Sequence, residues 1–147
     1  MQETTDILLV EDNAGDIRII KETIGESHVA INLHIAKDGL QALDFLHRRG
    51  PYVEAPRPRL VLLDLNLPNK NGYDVLREMK ADHELKHIPV IILSSSRSDQ
   101  DVRRAYDLHA NSYIPKPTSF EAYLTTFQNL EAFWLSTALI PNDSHIP

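Results

Sequence analysis

The 147-residue chain contains no cysteine. A disulfide framework, a thiolate zinc site, an iron–sulfur cluster and a Cys nucleophile are all excluded. Basic residues are also in deficit, with 15 Lys and Arg against 21 Asp and Glu and a formal net charge of −6. A nucleic-acid binder needs a basic surface to neutralise phosphates, so no nucleic-acid partner is expected. No apolar run approaches the length of a membrane span. The opening residues, Met1-Gln2-Glu3-Thr4-Thr5-Asp6, place no basic region ahead of an apolar stretch, so no secretory signal is expected. The expectation is a cytoplasmic protein without a membrane partner. With 42% hydrophobic and 24% charged residues, the chain has the composition of one ordinary folded domain over residues 1–147.

Four short apolar runs recur along it: Ile7-Leu8-Leu9-Val10, Leu33-His34-Ile35-Ala36, Leu60-Val61-Leu62-Leu63 and Val90-Ile91-Ile92-Leu93. The first, third and fourth are apolar without a break, as suits parallel strands covered on both faces. A weaker fifth, Ser112-Tyr113-Ile114, follows Asn111. Between the runs, apolar residues fall at helical spacing: Ile17, Ile20 and Ile24; Leu40, Leu43 and Leu46; Val75, Leu76 and Met79; Val102, Ala105 and Tyr106. The last segment sets Phe120, Leu124, Phe127, Glu131 and Trp134 on one stripe, with Tyr123, Leu130 and Phe133 beside it. Five strand–helix alternations call for right-handed crossovers and a doubly wound α/β sheet. The punctuation agrees: Asp38-Gly39 opens the second helix, Gly50-Pro51 closes it, and Pro89 stops any helix before the fourth strand.

In such a sheet, ligands bind beyond the carboxyl ends of the strands. Just past those ends stand Glu11 and Asp12, then Asp64 with Asn66 two residues on, then Ser94, then Lys116. Three carboxylates on one rim are costly unless a hard divalent cation sits among them, and oxygen-only ligands favour magnesium or calcium over zinc. A carboxylate is already ionised at neutral pH, so Asp64 can attack phosphorus without a general base. Lys116 can meet a transferred phosphoryl group as a point charge, and Ser94 can donate to one of its oxygens. Taken singly, an Asp or Ser at a strand end commonly serves as a helix N-cap. Their coincidence at several strand ends of one sheet argues for chemistry instead.

Val10-Glu11-Asp12-Asn13, Leu63-Asp64-Leu65-Asn66-Leu67-Pro68, Gly72, Ser94 and Lys116-Pro117 together resemble the receiver domain of two-component response regulators, over residues 6–130. The resemblance implies a five-stranded flavodoxin-like sheet of order 2-1-3-4-5. It implies Asp64 as phosphoacceptor, taking its phosphoryl group from a phosphohistidine on a sensor histidine kinase. Mg2+ would be held by Asp12, Asp64 and the backbone carbonyl of Asn66, with Glu11 acting through water. Ser94 and Tyr113 look like the family's switch pair, Lys116 would bond the phosphoryl oxygens, and a cis bond would precede Pro117. Asn13-Ala14-Gly15-Asp16-Ile17-Arg18, Tyr52 to Pro58, Leu108-His109-Ala110-Asn111 and Phe133-Trp134-Leu135 further resemble the small regulators paired with bacterial phytochromes. Departures are small: Glu11 where the family often has aspartate, Ser94 where it often has threonine, and Pro115 before the lysine, tolerable on an edge strand.

His83-Glu84-Leu85-Lys86-His87 matches the H-E-x-x-H zinc-protease pattern, but Ile88-Pro89 follows at once and a sustained helix cannot form. Asn142-Asp143-Ser144 fits a glycosylation sequon that is idle without secretion. The histidines at 28, 34, 47, 109 and 145 show no ligand-like spacing. Residues 131–147 form an apolar extension that adds Phe133, Trp134, Leu135 and Leu139 and, through Pro141, no basic residue. Either it packs back on its own domain or, with Phe127, it covers a second copy in a symmetric homodimer. No output domain is expected in this length. Action by target binding, by relay to a histidine phosphotransfer protein, or by draining the kinase all stay open. Two other classes remain as alternatives: an aspartate-nucleophile phosphatase, and an interaction module that needs no phosphorylation. Asn66 stands where the phosphatase would want an acid.

Overall fold

The computed structural model describes residues 4–141. The sequon at 142–144 and His145 lie outside them. Strands β1 (Thr5–Val10), β2 (Ile31–Ala36), β3 (Leu60–Leu63), β4 (Val90–Ser94) and β5 (Ser112–Pro115) alternate with helices α1 (Ala14–Gly25), α2 (Gly39–Leu46), α3 (Gly72–Ala81), α4 (Asp99–Asp107) and α5 (Phe120–Leu130). All strand pairs are parallel, in the order β2-β1-β3-β4-β5. The expected sheet is the observed one.

Successive strand residues point to opposite faces, so an unbroken apolar strand feeds two cores. Leu8, Val10, Val61, Leu63, Val90 and Ile92 pack under α2, α3 and α4 with Leu43, Leu46, Leu76 and Met79. Ile7, Leu9, Leu60, Leu62, Ile91 and Leu93 pack under α1 and α5 with Ile17, Ile20, Tyr123, Phe127 and Leu130. Edge strand β5, half-buried throughout, ends on Pro115, whose missing donor is harmless there.

Three expected helix faces shift. Leu40 is exposed, and α2 buries Ala42, Leu43, Phe45 and Leu46 instead. Helix α4 buries only Ala105, leaving Tyr106 outside. On α5 the buried stripe is Tyr123, Phe127 and Leu130, while Phe120 is exposed. In each case several helical stripes were apolar and contact with the sheet selected one. Residues Glu131–Thr137 continue α5 as a π-helix, which the spacing did not announce. The His83–His87 stretch is a run of turns, with Leu85 buried and both histidines exposed. His34 bonds Asp6 at 2.9 Å, and His47 lies between Glu78 and Asp82 at 3.8 and 3.9 Å.

Candidate functional site

Each of α1 to α5 has its own N-cap: the side chains of Asn13, Asp38, Asn71, Ser98 and Ser119 each accept from the backbone N–H three residues on. The capping role is therefore filled without Asp12, Asp64 or Ser94. Those three stand free of the commonest structural duty for their residue types.

Strands β1 and β3 lie side by side, with Val10 paired to Leu63, so the residues after them meet. Carboxylate oxygens of Glu11, Asp12 and Asp64 lie within 4.8 Å of one another. Glu11 is 1% exposed and Asp64 6%, while Asp12 faces solvent. Asp64 is fixed by its own backbone N–H, which donates to the Val10 carbonyl, and its Oδ1 accepts from the Asn66 N–H at 3.3 Å. Gly72 closes the loop behind it through a bond from its N–H to the Leu65 carbonyl. A side chain at Gly72 would collide with the Asp64 carbonyl oxygen.

Lys116 enters from the far side of the sheet. Its backbone N–H donates to the Ser94 carbonyl at 2.7 Å, which locks the end of β5 to the end of β4. Its Nζ lies 2.7 Å from Glu11 Oε1, 2.7 Å from Asp16 Oδ2 and 3.4 Å from Asp64 Oδ2. No described peptide bond is cis, so the Lys116–Pro117 bond is trans, contrary to expectation. Trans is the lower-energy form of an X–Pro bond, and with it the ammonium already reaches all three carboxylates.

Burial, assisted by the Asp64 charge, pushes the Glu11 carboxyl up to about 7 against the pull of Lys116. For Lys116 burial works the other way, and the bonds its ammonium donates to Asp16 and Glu11, with the Asp64 charge, overcome it and raise the ammonium's pKa. The rim is thus short of positive charge. An oxygen-only trio with one member open to solvent fits a hard cation that keeps several waters, as Mg2+ does.

Ser94 is fully buried, its Oγ accepting from the Ser96 N–H at 3.2 Å. The Tyr113 hydroxyl donates to the Ser96 carbonyl at 2.8 Å, so both switch candidates grip the same β4–α4 loop. Asp16 is the site residue that sequence reasoning missed. It lies within Asn13-Ala14-Gly15-Asp16-Ile17-Arg18, yet its place in the first turn of α1 gives it an ordinary structural reading.

The model of the response regulator receiver domain matches residues 7–128. The chain belongs to that family. The response regulator Rcp1 of Synechocystis sp. is 44% identical over 135 residues, covering 92% of each protein. A crystal structure of the phosphorylated cyanobacterial phytochrome response regulator RcpA superposes with a TM-score of 0.90 at 44% identity, covering 95% of this chain and 100% of that one. The Mn(2+)-bound form of Rcp1 gives 0.87 at 43% identity, covering 94% and 99%. Among receiver domains, then, this chain is similar to the phytochrome response regulator RcpA, solved phosphorylated, and to the response regulator Rcp1, solved with a divalent metal. None of its described helices is long and apolar enough to cross a membrane.

Proposed function

We propose that this response regulator receives a phosphoryl group on Asp64 from the phosphohistidine of a sensor histidine kinase of the phytochrome type. The observation that carries the proposal is the placement of the Asp64 carboxylate, set beside the carboxylates of Glu11 and Asp12 and facing the Lys116 ammonium at the carboxyl ends of β1, β3 and β5. One Asp64 oxygen forms the new bond to phosphorus as the phosphorus–nitrogen bond breaks and the imidazole leaves with the electron pair. Glu11, Asp12, Asp64 and the Asn66 backbone carbonyl would hold Mg2+, Glu11 through water. That ion, when bound, neutralises charge on the phosphoryl oxygens.

Lys116 supplies fixed positive charge opposite the trio. Ser94 donates to a phosphoryl oxygen, and Tyr113 follows through Ser96, whose N–H bonds the Ser94 hydroxyl and whose carbonyl takes the Tyr113 hydroxyl. The chain acts as a signalling phosphoacceptor that assists its own phosphorylation and dephosphorylation rather than as an enzyme on a separate substrate. It works in the cytoplasm as one receiver domain with a core over residues 6–130. It acts by binding a target protein, by relaying phosphate to a histidine phosphotransfer protein, or by draining it from the kinase, and it pairs with a second copy through the apolar extension.

Intact-protein mass spectrometry after incubation with magnesium and acetyl phosphate tests this reading. Wild type gains one phosphoryl mass and Asp64→Asn gains none. Absence of a gain in wild type would return the chain to a phosphorylation-independent interaction module.

A further inference from the structure

An ammonium has three N–H donors and no acceptor. In Lys116 two are spent at 2.7 Å on Glu11 and Asp16, and the third faces Asp64 across a looser 3.4 Å. Two of these three carboxylates, Glu11 and Asp64, also belong to the trio that fits a cation. Asp16 does not. It is the one partner of Lys116 that a metal ion in the trio would leave untouched.

The ordinary explanation for an acid at this position is a capping box, in which the residue at N3 reaches back to the N–H of the N-cap. Here the Asn13 N–H donates to Glu11 Oε2 at 3.2 Å, so Glu11 fills that role. Asp16 still takes half of the box, its own N–H donating to Asn13 Oδ1 at 2.9 Å. The cap thereby fixes the Asp16 backbone while its carboxylate is released toward Lys116. The pairing spans 100 residues of chain and ties α1 to the end of β5.

We infer that Asp16 is a positioning residue for phosphoryl transfer: it anchors the Lys116 ammonium so that its third N–H stays aimed at the Asp64 oxygen when a cation engages Glu11 and Asp64. This rests on Asp64 being the phosphoacceptor. Without Asp16 the ammonium is held only by groups that the metal shares, and it follows them instead of meeting the incoming phosphoryl group.

The test is the initial rate of mass gain from acetyl phosphate at saturating magnesium, measured for wild type, Asp16→Asn, Asp16→Glu, Lys116→Ala and the Asp16→Asn/Lys116→Ala pair. Asp16→Asn is expected to be slower by about tenfold or more, a displaced charge being enough for such a loss. Its magnesium midpoint stays at the wild-type value, Asp16→Glu recovers part of the rate, and Asp16→Asn adds nothing once Lys116 is gone. A wild-type rate in Asp16→Asn overturns the inference, as does an equal further loss on the Lys116→Ala background, which would mark a structural role. Failure of wild type to gain phosphoryl mass overturns instead the phosphoacceptor reading beneath it.

Discussion

Behind the Asp64 carboxylate the chain leaves space for one hydrogen atom. A Cβ at Gly72 would strike the Asp64 carbonyl oxygen and crowd the Leu65 Cα at 2.7 Å, both backbone atoms that cannot rotate aside. Gly72→Ala should therefore cost about 1–3 kcal/mol by overpacking, read from urea midpoints, and should lower phosphorylation by shifting Asp64. On the solvent side, Asp12 is the exposed member of the trio and the simplest one to remove without disturbing the core. A ligand at a hundredfold excess over its dissociation constant stabilises by about 2.7 kcal/mol. Adding magnesium to wild type should raise its melting temperature accordingly, EDTA should reverse the gain, and Asp12→Asn should show little response. Glu11, Asp12, Asp64, Ser94 and Lys116 were legible in sequence because each directly follows a recognisable strand. Asp16 was not, because an acid in the first turn of a helix reads as a favourable partner of the helix dipole. Only the structure shows Glu11 taking the capping bond and Asp16 turning to Lys116.

Among the elements, α4 is the one with least apolar attachment, since Ala105 is its single buried residue. Polar ties replace the missing core. The Asp101 carboxylate accepts from the Ser96 hydroxyl and from the Tyr73 hydroxyl, both at 2.6 Å, and these bonds hold its carboxyl below the usual range. The Arg104 guanidinium lies over the Tyr73 ring, 3.9 Å from its centre. Ser96 is also the residue whose carbonyl takes the Tyr113 hydroxyl, so α3, α4 and β5 meet at one loop. Tyr73→Phe removes a single hydroxyl and should cost about 1 kcal/mol. Its larger effect should be faster amide hydrogen exchange confined to α4 and the β4–α4 loop, because little else holds that helix. The strands were legible in sequence, their apolar runs being unbroken and bounded by turns. The helix faces were less so: Leu40 and Phe120 sit at helical spacing with apolar neighbours, yet the sheet covers the adjacent stripe. The π-helix after α5 follows from no local signal, since an added residue per turn leaves composition unchanged.

At the scale of the whole molecule, the apolar extension divides into two halves with different duties. Trp134 and Leu135 are half-buried against the α1–α5 core, so that half packs on its own chain. Phe127, 4% exposed in the same core, leaves the set of expected contact residues, because a partner cannot reach it. Phe133 packs edge-on to Trp134, with ring centres 5.0 Å apart, yet keeps 53% of its surface exposed, and Leu139 is 100% exposed. Both stand beyond the residues the family model matches, on a segment with no basic side chain to keep it wet. A homodimer joined there would remove these side chains from water while leaving the rim around Asp64 open to a kinase. Deleting everything after Leu130 is an imperfect probe, since it also strips Trp134 and Leu135 from the core and must lower stability. The Phe133→Ser/Leu139→Ser pair separates the two effects, because exposed substitutions shift stability by only about 0.5 kcal/mol each. By light scattering over a range of concentrations, wild type should run as a dimer and the double variant as a monomer that still folds, its melting temperature lowered slightly and no longer dependent on protein concentration. A double variant that stays dimeric would move the interface elsewhere, and the exposed side of α4 with Tyr106 would be the next surface to alter.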